Sequence, residues 1–119
     1  MKERKLLDSF NDAIAGVIHA LKTQRNMKIH FAMAAAAMIL GLLTGLGRVE
    51  LLLLFFTIAL VLVTEMINTS IEAAVDLMME AYHPLAKVAK NVAAGAVLIS
   101  AVNAVVVAYI LFFDRLNPL

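Results

Sequence analysis

Leu51-Leu52-Leu53-Leu54-Phe55-Phe56-Thr57-Ile58-Ala59-Leu60-Val61-Leu62-Val63-Thr64-Glu65-Met66-Ile67-Asn68-Thr69-Ser70-Ile71-Glu72-Ala73-Ala74-Val75-Asp76 decides the fold. Its first half is apolar enough to lie in hydrocarbon. Its second half continues with no Gly or Pro to stop a helix, yet it carries three carboxylates. At helical spacing Glu65, Asn68, Thr69, Glu72 and Asp76 share one arc, while Ile67, Ile71 and Val75 fall elsewhere. Carboxylates at membrane depth are costly, so such residues usually face a bundle interior or a wet cavity and handle ions, protons or substrate. Only about fourteen residues separate Glu65 from Leu51, too few to cross a bilayer. A helix solvated from Glu65 onward would fall short of spanning, which favours a functional Glu65. Asp76 is equally compatible with a solvated helix end.

Outward from this segment, two further apolar runs appear. Ile29 to Leu46 has no acid or base except His30, and Val92 to Phe113 is interrupted mainly by Ser100 and Asn103. The expected spans are about 29–46, 51–70 and 92–113, each long enough for a hydrocarbon core of about 30 Å. Gly45-Leu46-Gly47-Arg48 makes the first link a tight turn. Before the first span, Leu6, Leu7, Phe10, Ile14, Val17, Ile18 and Leu21 recur every three or four residues opposite Asp8, Asn11 and Asp12. That pattern predicts an amphipathic surface helix over about 4–22. The fold class is therefore an all-α membrane protein in a single domain over 1–119.

Composition agrees with this reading. Among 119 residues, 63% are hydrophobic and 16% charged, more apolar surface than a soluble domain of this size can hide. A net charge of +1 argues against nucleic acid as a partner, and the lack of cysteine removes thiol chemistry. No signal peptide is expected. Lys2, Arg4, Lys5, Lys22, Arg25 and Lys28 precede the first span, and Lys87 and Lys90 lie between the second and third. By the positive-inside rule both regions, and the N-terminus, are expected in the cytoplasm.

Tyr82-His83-Pro84-Leu85-Ala86-Lys87-Val88-Ala89-Lys90-Asn91 reads as a proline-started helix with two lysines, which suit either phosphate binding or snorkelling. Ala93-Ala94-Gly95-Ala96 offers close helix packing. Oxygen donors such as those of the stripe suit Mg²⁺. A small cation channel with a ring of Glu65 side chains is an alternative of another class.

Taken together, Glu65-x-x-Asn68-Thr69-x-Ile71-Glu72-x-x-Val75-Asp76, His83-Pro84-Leu85-Ala86-Lys87-x-Ala89-Lys90, Ala93-Ala94-Gly95-Ala96-Val97-Leu98 and Arg25-Asn26-Met27-Lys28-Ile29-His30 give the chain a family likeness. It resembles the bacterial membrane diacylglycerol kinase family, and more closely its undecaprenol kinase branch, over nearly the whole length. The resemblance implies an ATP-dependent lipid kinase of the bacterial inner membrane, a homotrimer with active sites shared between subunits. It implies Glu65 as general base, Glu72 as metal ligand, and Asn68, Lys90, Asp76, His83 and Lys5 around the nucleotide. Undecaprenol is the expected acceptor, with diacylglycerol as the alternative. Two positions depart from the pattern. Gln24 and Asn91 stand where the family usually has acids, one at the metal and one beside the nucleotide. An amide oxygen holds a cation less strongly than a carboxylate, so these departures imply reduced activity or a catalytically impaired homologue.

Overall fold

A computed structural model describes residues 5–79 and 81–116. Lys2 and Arg4 of the basic N-terminal segment, and Asn117 and Pro118 at the other end, lie outside the described residues. The described chain is helical without strands: α1 (Leu6–Thr23), α2 (Arg25–Leu43), α3 (Arg48–Met78) and α4 (Pro84–Leu116). Helices α2, α3 and α4 are each long and apolar enough to cross a membrane. The protein is an all-α membrane protein.

Helix boundaries follow from local chemistry. The backbone N–H of Lys5 donates to Asp8 Oδ2 at 3.2 Å, satisfying one amide at the start of α1. Gln24, in extended conformation, ends α1 and begins α2 with no loop between them. The α2–α3 corner is a Schellman turn. The Leu46 N–H donates to Gly41 O at 3.1 Å, and that of Gly45 donates to Leu42 O at 3.4 Å. Gly45 carries φ +74°, a left-handed conformation that an L side chain adopts at a cost. Leu46 then turns inward against Gly41, where an added Cβ would lie 3.1 Å from Leu46 Cδ1 and 3.2 Å from Leu54 Cδ2. Glu50 reaches back to accept from the Gly47 N–H at 3.0 Å, which starts α3.

Three polar contacts fix the register of α3 against α4. Arg115 Nη2 meets Glu50 Oε1 at 2.5 Å, Thr64 Oγ1 and Ser100 Oγ lie 2.9 Å apart, and Lys90 Nζ meets Asp76 Oδ1 at 2.5 Å. Moving 14 residues along α3 from Glu50 to Thr64 corresponds to 15 back along α4 from Arg115 to Ser100. A further 12 from Thr64 to Asp76 corresponds to 10 from Ser100 to Lys90. Opposite steps of similar length are what an antiparallel pair requires. Arg115 Nη1 also donates to Gly45 O at 3.1 Å, tying the end of α4 to the α2–α3 corner.

The register sets the depth of the stripe. At about 1.5 Å per residue, Glu65 lies about 26 Å along α3 from Arg48, Glu72 about 36 Å and Asp76 about 42 Å. Measured from Arg48, Glu65 lies within the length of a hydrocarbon layer of about 30 Å and Asp76 beyond it.

Candidate active site

The stripe on α3 is graded in burial. Glu65 and Asn68 are 2% and 8% exposed, Glu72 is half-buried and Asp76 is exposed. The sequence suggests that a lone subunit would leave this whole face to lipid. In the folded chain its deeper half is already covered, with His30 of α2 against Glu65. Asn68 Nδ2 donates to Glu72 Oε1 at 3.2 Å, one helical turn away, and Thr69 Oγ1 donates to the Glu65 carbonyl at 2.9 Å. Among the described residues, the buried side-chain polar atoms that lack a hydrogen bond are Glu65 Oε2 and Asn68 Oδ1. A native fold seldom leaves such atoms bare without a functional reason.

Around the stripe the other site candidates are dispersed. Lys90 is held against Asp76, so these two are brought together at the open end of the α3–α4 pair. His83 Nδ1 accepts from the Leu85 N–H at 3.1 Å, and the His83 carbonyl accepts from the Lys87 N–H at 3.1 Å. His83 thus caps α4 just ahead of Pro84, a structural use of the ring that its sequence context does not announce. Asn91 is exposed on α4. Lys5 stands at the start of α1 and Gln24 at the α1–α2 corner; among the described residues neither side chain hydrogen-bonds or pairs with Glu72.

One neighbour of the stripe comes from another helix, and the motif that contains it does not reveal its contact. His30, on α2, brings Nε2 to 3.6 Å from Glu65 Oε2, with side chains 19% and 3% exposed. Its signal in the sequence is its standing as the single titratable residue of the first apolar run. His30 also sits at the edge of a cavity of about 250 Å³ between α2, α3 and α4, lined by Met33, Ala34, Leu54, Val61 and Ala104 among others.

No three His, Cys, Asp or Glu side chains converge among the described residues. The oxygen donors present still fit Mg²⁺. This ion commonly takes one or two carboxylates and completes its shell with phosphate oxygens and water, so a protein cage is unnecessary. Glu72 supplies a carboxylate, and Asn68 Oδ1 is an unpaired oxygen beside it.

A buried carboxylate, an oxygen-bearing helix face and a lysine at its outer end are thus assembled from α3 and α4. The family described as prokaryotic diacylglycerol kinase matches residues 11–112. The chain belongs to that family. Membership in the prokaryotic diacylglycerol kinases makes it a lipid kinase. Two relatives are informative. The undecaprenol kinase of Bacillus subtilis is 38% identical over 112 residues, covering 94% of this chain and 91% of the relative. A diacylglycerol kinase of Synechocystis is 45% identical over 103 residues, covering 86% of this chain and 59% of the relative. The chain therefore spans somewhat over half of the Synechocystis protein and nearly all of the Bacillus one.

Proposed function

We propose that this kinase transfers the γ-phosphoryl group of ATP to the hydroxyl of a membrane lipid alcohol, undecaprenol first, at the cytoplasmic boundary of the bacterial inner membrane. The observation that carries the reading is Glu65: a carboxylate 2% exposed, with an Oε2 that accepts no hydrogen bond, beside an apolar cavity. A lipid alcohol keeps its chain in hydrocarbon and offers its hydroxyl near the headgroups, so a base must sit just inside that boundary. Glu65 accepts the hydroxyl proton as the lipid oxygen forms its bond to the γ-phosphorus. The bond from that phosphorus to the bridging oxygen breaks, and its electron pair leaves with ADP. The proton then returns to water.

Lys90 supplies positive charge to the phosphates, with Asn68, Asp76, His83, Asn91 and Lys5 around the nucleotide. Glu72 would hold the Mg²⁺ that accompanies ATP, with Gln24 as a weaker second ligand, and the ion would supply screening of the phosphate charge. Helix α1 lies along the cytoplasmic surface, supported by its uncovered Leu6, Leu7, Phe10, Ile14 and Ile18. Cytoplasmic placement of the N-terminus rests on the lysines and arginines ahead of α2. The kinase is a homotrimer with shared sites, as the family resemblance implies; Asn103, a polar side chain exposed within the α4 span, supports a partner helix in lipid.

Undecaprenol is favoured because similarity to the Bacillus undecaprenol kinase runs over almost the full length of both chains. Diacylglycerol is the second reading, favoured by the higher identity to the Synechocystis protein. The test is direct. Purified protein in detergent is given Mg²⁺, ATP labelled at the γ-phosphate and either undecaprenol or diacylglycerol, and label is followed into extracted lipid. Faster labelling of undecaprenol is expected. Faster labelling of diacylglycerol selects the second reading, and label in neither lipid ends both.

A further inference from the structure

Glu65 Oε2 is buried, ionisable and without a hydrogen bond, and His30 Nε2 stands 3.6 Å from it on another helix. That separation exceeds a hydrogen bond but closes with a small rotation of either side chain. A second observation concerns the cavity of about 250 Å³ beside them. Only His30 and Thr57 among its lining residues have polar side chains, and Thr57 Oγ1 donates to the Leu53 carbonyl at 2.8 Å. His30 is therefore the lining side chain whose polar edge is still available, and it points that edge at the bare carboxylate oxygen.

We infer that His30 is a positioning residue for the transfer reaction: its Nε2–H donates to Glu65 Oε2 when lipid is bound, leaving Oε1 to receive the hydroxyl proton. The inference rests on the reading of Glu65 as the base. A glutamate reaching from one helix has several rotamers, and a donor from a second helix selects one of them. Donation from the imidazole to one oxygen orients the carboxylate without occupying the other. His30 also lines the cavity, so the same residue neighbours both the base and the apolar space.

Three variants test the inference: His30→Leu, His30→Gln and Glu65→Gln, with both His30 changes repeated in the Glu65→Gln background at enzyme levels that read slow turnover. His30→Leu should lower kcat for lipid phosphorylation by roughly 10-fold to 100-fold, the cost of a misplaced reacting group, and leave the KM for ATP within about twofold. His30→Gln keeps an N–H donor at similar reach and should recover most of that loss. In the Glu65→Gln background His30→Leu should do nothing further, because the carboxylate base that it orients is gone. An equal loss in both backgrounds, a His30→Gln enzyme as slow as His30→Leu, or a His30→Leu enzyme with unchanged kcat overturns the positioning role. A fully active Glu65→Gln enzyme overturns the underlying reading of the base instead.

Discussion

Lys90 Nζ and Asp76 Oδ1 are 2.5 Å apart, joining the outer end of α3 to the start of α4, with side chains 41% and 67% exposed. The same lysine is the one proposed to meet the ATP phosphates, so nucleotide and Asp76 share it. Because the pair is open to water, its contribution to stability is small, about 0–1 kcal/mol. Lys90→Met should therefore raise the KM for ATP by roughly tenfold or more while leaving the thermal midpoint almost unchanged. Steady-state kinetics beside a melting curve checks both halves; a large loss of stability with normal KM would make Lys90 structural.

Glu65 and Glu72 should have separable phenotypes. Glu65→Gln retains shape and removes the basic oxygen, so transfer should fall by roughly 10² or more with ATP binding kept. Glu72→Gln should instead weaken binding of Mg²⁺ and ATP, since it replaces a carboxylate ligand by an amide. Nucleotide titration and single-turnover transfer on both variants decide the matter. Reversal of the two patterns would exchange the roles.

Acids restored at the two amide positions should raise activity. With Gln24→Glu and Asn91→Asp together, the Mg²⁺ requirement should drop by roughly tenfold, on the scale by which metal affinity follows ligand charge. A magnesium titration of the rate is the measurement. Unchanged dependence would mean that neither amide limits the cation.

Assembly should depend on the outward face of α4. Within the protomer nothing lies within 4 Å of a Cβ built on Gly95, whereas Ala93 is buried against α3. Gly95→Leu should leave the protomer folded and reduce the fraction of the proposed trimer by blocking close approach of a second copy. Light scattering with detergent mass subtracted reads this directly, beside circular dichroism for helix content. A trimer undisturbed by leucine would place the contact on another face.

Two buried positions should govern protomer stability. Gly41→Ala puts a Cβ against Leu46 and Leu54, and overpacking of this sort costs about 1–3 kcal/mol. Ser100→Ala removes the contact with Thr64, but an interhelical hydrogen bond in a membrane averages only about 0.6 kcal/mol. Unfolding in mixed detergent should therefore rank Gly41→Ala as the more damaging change. The opposite order would show that the Thr64–Ser100 bridge, rather than the corner, holds the helices.

What was legible in the sequence was whatever depends on neighbours along one helix. Three apolar runs sufficed for three membrane helices, because the length needed to cross hydrocarbon is a property of each run alone. The shared face of Glu65, Asn68, Glu72 and Asp76 followed from helical periodicity, and the motifs they form carried the family likeness. Tertiary structure decided how that face is graded from buried Glu65 to exposed Asp76, since burial depends on where α2 and α4 cross it. It also decided that His83 caps α4, that Ala93 turns inward while Gly95 turns outward, and that His30 meets Glu65 from 35 residues away. Such contacts depend on the register and crossing of helices distant in the chain, and spacing within a single helix carries no record of them.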